Sequence, residues 1–118
     1  MVHQELQELA GAVEAADPLD AALAAKAVRA LRYGFPAEAA AGLIPDGMPS
    51  TDALLALVQA ALPGWHYKIH GRARPAGAWS CSLRRSDVLD DDEILGTGDA
   101  DSLPQALLAT LLRIAAWR

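Results

Sequence analysis

Apolar side chains recur at helical spacing in four stretches of the chain and alternate in the region between the last two. Leu6, Leu9 and Val13 predict an amphipathic helix over residues 3–16. Leu23, Ala27, Ala30 and Leu31 predict a second helix, ending near Arg32. Leu54, Leu55, Val58, Ala61 and Leu62 make a third apolar face, and Leu107, Leu108, Leu111 and Leu112 a fourth. Between them Trp65, Tyr67 and Ile69, then Trp79, Cys81 and Leu83, alternate with polar residues as half-buried strands do. A short third strand is read over residues 93–97.

Punctuation residues place the boundaries. Asp17 can cap the second helix, Pro18 suits its first position, and Asp20 favours the positive end of its dipole. Lys26, Arg29 and Arg32 sit in its latter half, where cations are favourable. Tyr33-Gly34-Phe35-Pro36 ends it, and residues 37–43 have room for one or two further turns. The run Ile44-Pro45-Asp46-Gly47-Met48-Pro49 is turn-rich. It separates a helical segment, residues 1–45, from a second unit, residues 50–118. Ser50 or Thr51 opens the third helix with Asp52 in its first turn, and Pro63-Gly64 closes it. Strands at 65–70 and 78–85 flank a hairpin loop, 71–77, and the acidic stretch 87–92 precedes the third strand. Ser102 is placed to cap the last helix, with Pro104 tolerated in its first turn. The expected fold class is α+β. A helix, three antiparallel strands and a helix form a sheet packed against helices, preceded by an N-terminal helical extension. Trp65, Trp79 and Leu111 are expected in the common core.

Composition narrows the function. The 118 residues are 53% hydrophobic, much of it alanine, and carry a net charge of −5. That sign argues against a general affinity for nucleic-acid phosphates or anionic membranes. The lone Cys81 cannot form an internal disulfide. Glu5, Glu8 and Glu14, with no early lysine or arginine, argue against a secretion signal at the N-terminus. No apolar run approaches the ~20 residues of a membrane helix, so a cytoplasmic location is expected.

The run Ala61-Leu62-Pro63-Gly64-Trp65, then Ala78-Trp79-Ser80-Cys81-Ser82-Leu83, Glu93-Ile94-Leu95-Gly96-Thr97-Gly98 and Leu103-Pro104-Gln105-Ala106-Leu107-Leu108, resembles the phage ABA-sandwich family. The resemblance covers roughly residues 50–118 and rests on the Leu-Pro-Gly-Trp and Pro-x-Ala-Leu segments. It implies a helix, three strands, a helix and a phage or prophage origin, and no activity. Two departures stand out: Leu103 precedes Pro104 where a capping threonine or serine is more usual, and the hairpin is long and arginine-rich.

Residues that could carry chemistry do so poorly. Asp87, Asp90, Asp91, Asp92 and Glu93 lack the alternation and glycine turn of a calcium loop. They suit a solvated loop or a protein-binding patch. Lys68, Arg72, Arg74, Arg84 and Arg85 surround the first hairpin, but strand parity puts Lys68 and Arg84 on the face opposite Tyr67 and Trp79. Aromatic stacking and phosphate contact would therefore not share a surface. The double-stranded-RNA-binding fold has the same element order, yet it needs lysines where this chain has Asp99, Asp101 and Ser102. His66 and His70 lie about 13 Å apart on a strand, too far to chelate one metal, and His3 reads as an ordinary surface histidine. Cys81 lies on the apolar parity, where a thiol is inert. Gly96-Thr97-Gly98 lacks the lysine of a phosphate loop.

No catalytic residue, metal or cofactor is therefore assigned. The expectation is a non-enzymatic phage or prophage accessory protein that binds a host or phage protein, for example to inhibit an antiviral defence complex such as CRISPR. Its contact residues would be Asp87, Asp90, Asp91, Asp92, Glu93, Arg72, Arg74 and Arg84. The alternatives are a virion or assembly protein and a nucleic-acid-binding module. A homodimer through the N-terminal helices, or a contact anchored by Trp117, is also open to this sequence.

Overall fold

The computed structural model describes residues 3–16, 19–43, 49–71, 79–84 and 94–116. Their order is α1 (His3–Ala15), α2 (Ala21–Gly34), α3 (Thr51–Ala61), β1 (His66–Gly71), β2 (Trp79–Arg84), β3 (Ile94–Ala100) and α4 (Leu103–Ala116). The α+β class and the antiparallel meander β1-β2-β3, packed against helices, are as expected.

Local chemistry sets most of the ends. Ser50 caps α3 by accepting from the Ala53 amide at 3.0 Å, and Gly64, at φ +84°, supplies the left-handed turn after Pro63. Ser102 caps α4: its hydroxyl accepts from the Gln105 amide and donates to Gln105 Oε1 at 2.8 Å. This restores, one residue earlier, the cap that Leu103 cannot provide. The start of α2 differs from expectation. Asp17 and Pro18 lie outside the described residues, and the cap is Asp20, whose carboxylate takes the Leu23 amide at 2.7 Å. An aspartate there satisfies an orphan donor directly, beyond its favourable charge. Residues 37–42 form turns rather than helix, and β3 runs three residues beyond the expected Thr97.

The last helix is the centre of the molecule. Every residue from Gln105 to Leu112 is buried, with Ile114 and Ala115, so this helix is covered on all sides. One side meets β2 and β3; the others meet α1, α2 and α3. Leu6, Leu9 and Val13 of α1 and Leu31 of α2 join the same core cluster as Leu54, Leu57, Val58, Leu83 and Leu111. Leu6, Leu9, Leu31 and Leu43 of the N-terminal segment are thus buried within the chain, while Leu19 and Leu23 are partly buried at its margin.

Close approach of α4 to β3 depends on two glycines. A Cβ on Gly98 would sit 2.3 Å from the Ala106 carbonyl oxygen, and one on Gly96 would sit 2.6 Å from Ile114. The Gly-Thr-Gly run is a packing device.

Two expected core tryptophans need correction. Leu111 is fully buried, but Trp65 and Trp79 are only partly so and pack against the core edge. Tyr67, on the same parity, is 46% exposed. The reason is lateral: α4 lies over β2 and β3, and the helix-side face of β1 extends past it. Trp79 instead spreads its ring over Gly71, its cross-strand partner, where a Cβ would come within 2.4 Å of the ring.

Candidate protein-binding surface

The sheet register sorts side chains into two faces. Tyr67, Ile69, Trp79, Cys81, Leu83, Gly96 and Gly98 share the helix side. The other face presents His66, Lys68 and His70 from β1, Ser80, Ser82 and Arg84 from β2, and Thr97 and Asp99 from β3. Lys68 and Arg84 therefore do lie opposite Tyr67 and Trp79. No described helix covers this polar face.

Register also groups these residues into rows that linear reading could not reveal. His70, Ser80 and Asp99 align across the strands, as do Lys68, Ser82 and Thr97. A shallow depression of about 260 Å³ lies among Lys68, His70, Ser80, Ser82, Thr97 and Asp99. Ser80 Oγ donates to Asp99 Oδ1 at 2.5 Å. The three residue types are those of a hydrolytic triad, but the serine stands between the other two. A triad needs the histidine in the middle, to take the serine proton while the carboxylate orients it. Here the hydroxyl proton goes to the carboxylate.

Cys81 is 3% exposed. Burial pushes its thiol pKa up, opposed in part by a hydrogen bond with Thr110. Those are the surroundings of an inert thiol. His66 and His70 are exposed on the polar face. Among the described residues no group of three or more His, Cys, Asp or Glu is arranged to hold a metal, and no helix is long and apolar enough to cross a membrane.

The two edges of the sheet are treated differently. At β3, Glu14 of α1 and Arg113 of α4 form a two-pronged ion pair, 2.7 Å in each arm. Glu14 Oε2 also accepts the Asp99 amide at 2.8 Å, and Arg113 donates to the Thr97 carbonyl at 2.7 Å. The pair supplies one acceptor and one donor to the strand edge, as a neighbouring strand would. The Arg113 guanidinium holds the Glu14 carboxyl below its ordinary range, against the opposing effect of burial; the Asp99 amide adds to the lowering. Arg113 is raised in turn, chiefly by its bond to Glu14.

At β1 no described element pairs with the outer edge. The polarity of the free groups follows from the far edge. Since the amide of Asp99 and the carbonyl of Thr97 face away from β2, Ser80 and Ser82 must bond to β1. Their partners His70 and Lys68 then use their main-chain groups inward. Tyr67, Ile69 and Gly71 are left with N–H and C=O aimed outward. Every residue of β1 except Ile69 is exposed, and Ile69 is intermediate.

Of the contact residues expected from sequence, Arg84 alone is described. It pairs with His66 and, across a bulge between Leu83 and Arg84, with Ile94. Its Nε is buried with no hydrogen-bond partner among the described residues. Arg72, Arg74, Asp87, Asp90, Asp91, Asp92 and Glu93 lie outside the described residues, as does Trp117. The residues that sequence reasoning missed as a surface are Ser80, Ser82, Thr97 and Asp99; strand parity was the available signal.

No family model matches this chain, and no curated protein or solved structure does.

Proposed function

We propose that this chain is a non-enzymatic accessory protein, of phage or prophage type, that binds a protein partner in the bacterial cytoplasm through the open side of its sheet. The observation that carries the reading is the asymmetry of the sheet. Helices occupy one face and Glu14 with Arg113 closes one edge, while no described element covers the polar face or pairs with the β1 edge. Stable domains blunt exposed strand edges, and here the blunting is built at β3. The buried Cys81 and the Ser80–Asp99 hydrogen bond support binding over catalysis. The phage assignment is supported by the sequence resemblance, and inhibition of a host defence complex such as CRISPR is the role proposed for such a binder.

The test is twofold. The immobilised full chain is exposed to lysates of host bacteria, and captured proteins are identified with wild type and with Ser82→Arg, which fills the polar face. A partner retained by wild type and lost by the variant is the expected result. Expression in a strain carrying CRISPR immunity should raise phage plaquing. A chain that captures nothing and leaves plaquing unchanged is not a host-protein binder.

A further inference from the structure

We propose that the outer edge of β1 accepts an extended polypeptide segment of the partner as a fourth strand, with apolar and acidic side chains alternating along it. This rests on the protein-binding reading above and specifies its chemistry. Three observations converge. The outward N–H and C=O groups of Tyr67, Ile69 and Gly71 form the ladder that strand addition requires. On the helix side of the same strand, Tyr67 is 46% exposed and Ile69 half-buried, beyond the cover of α4. Apolar side chains of an added strand would lie beside them and complete that end of the core.

The third observation is charge. On the polar face β1 carries His66, Lys68 and His70, and Arg84 follows on β2 next to His66. No carboxylate belongs to that face of either strand. The nearest described one, Asp99, lies on β3 and accepts from Ser80. Acidic residues on the outer face of the added strand meet Lys68, and basic ones are repelled. The same lysine disfavours a second copy of this chain. Antiparallel self-pairing centred on β1 and keeping side-chain parity sets Lys68 against Lys68 or against His70 of the other copy.

The probe is a short blocked peptide alternating valine and aspartate, added to the full isotope-labelled chain and followed by amide NMR and hydrogen exchange. The Tyr67, Ile69 and Gly71 amides should shift, and their exchange should slow about tenfold at saturation. A valine–lysine peptide should bind about tenfold more weakly, and Lys68→Glu, at an exposed position, should reverse that preference. Methylating alternate backbone nitrogens of the aspartate peptide should abolish protection. Equal binding of the methylated peptide, or shifts confined to α1 and α2, would overturn the proposal. So would β1 amides already protected in a free protein that light scattering shows to be a dimer. If a lysate partner is retained undiminished by Lys68→Glu while no peptide protects β1, strand addition fails and the binding function stands. If wild type captures no partner, the function fails first.

Discussion

Glu14 and Arg113 stand 99 residues apart in the chain and meet side by side at 2.7 Å over the edge of β3. One carboxylate oxygen receives the Asp99 amide, and one guanidinium nitrogen reaches the Thr97 carbonyl. The pair ties α1, α4 and β3 together and terminates the sheet on that side. Both side chains are only about a fifth exposed, at 21% and 23%, so the contact is less screened than a surface ion pair.

Glu14→Gln should therefore lower unfolding free energy by about 1–3 kcal/mol at neutral pH, since it leaves a largely covered guanidinium without its counter-charge. The folded-state pKa of Glu14 is lowered. Its contribution is thus fully present above the unfolded value of about 4.3 and is lost as pH falls through the lower folded value. Urea denaturation of wild type and variant should differ most above about pH 5 and converge as the medium is acidified. A difference independent of pH would show that the pair does not act through charge.

Two glycine replacements should move stability in opposite directions. Gly98→Ala drives a Cβ into the Ala106 carbonyl and Thr110 Oγ1, and should cost about 2 kcal/mol or more as α4 is pushed from β3. Gly11→Ala lies within α1 with nothing within 4 Å of the new methyl. It should raise stability by about 0.5–1 kcal/mol through helix propensity and reduced unfolded-state entropy. Thermal melts of the two variants give the comparison directly.

Gln105 joins the end of α1 to the start of α4. Its Nε2 donates to the Val13 and Ala16 carbonyls at 3.1 and 2.9 Å, while its Oε1 accepts from Ser102. Gln105→Leu would leave those helix-end acceptors unsatisfied in a nearly closed site and should destabilise by about 1–3 kcal/mol. Faster amide exchange in the last turn of α1, with α3 unaffected, would locate the loss.

Leu111 and Trp79 should separate the core from its margin. Leu111→Ala opens a cavity in the fully buried centre and should cost about 3–5 kcal/mol. Trp79→Ala removes a partly exposed ring from above Gly71 and should cost about 2 kcal/mol, less than a fully buried tryptophan. Equal losses in chemical denaturation would mean that the sheet margin is packed as tightly as the centre.

Helix spacing in α1 to α4, strand alternation around Ile69 and Cys81, and the caps at Ser50 and Ser102 were all legible in the linear chain. Each depends on neighbours within a few residues, and parity alone set Lys68 and Arg84 apart from Trp79. The expected contact residues were chosen by charge density along the chain. That criterion selected the two stretches flanking β2, and passed over Ser80, Ser82, Thr97 and Asp99, which become one surface only when three strands align.

The sequence by itself determined the kind and order of elements, because hydrophobic period and capping are local properties of the backbone. Tertiary structure decided which helix is central, which tryptophans are covered and which sheet edge is closed. Those outcomes depend on where α4 lies across the sheet: over β2 and β3, close enough to require Gly96 and Gly98, and short of β1. No local pattern encodes that lateral position. It is set by the joint packing of α1, α2 and α3 around α4, which also brings Glu14 to Arg113 and leaves Tyr67 uncovered.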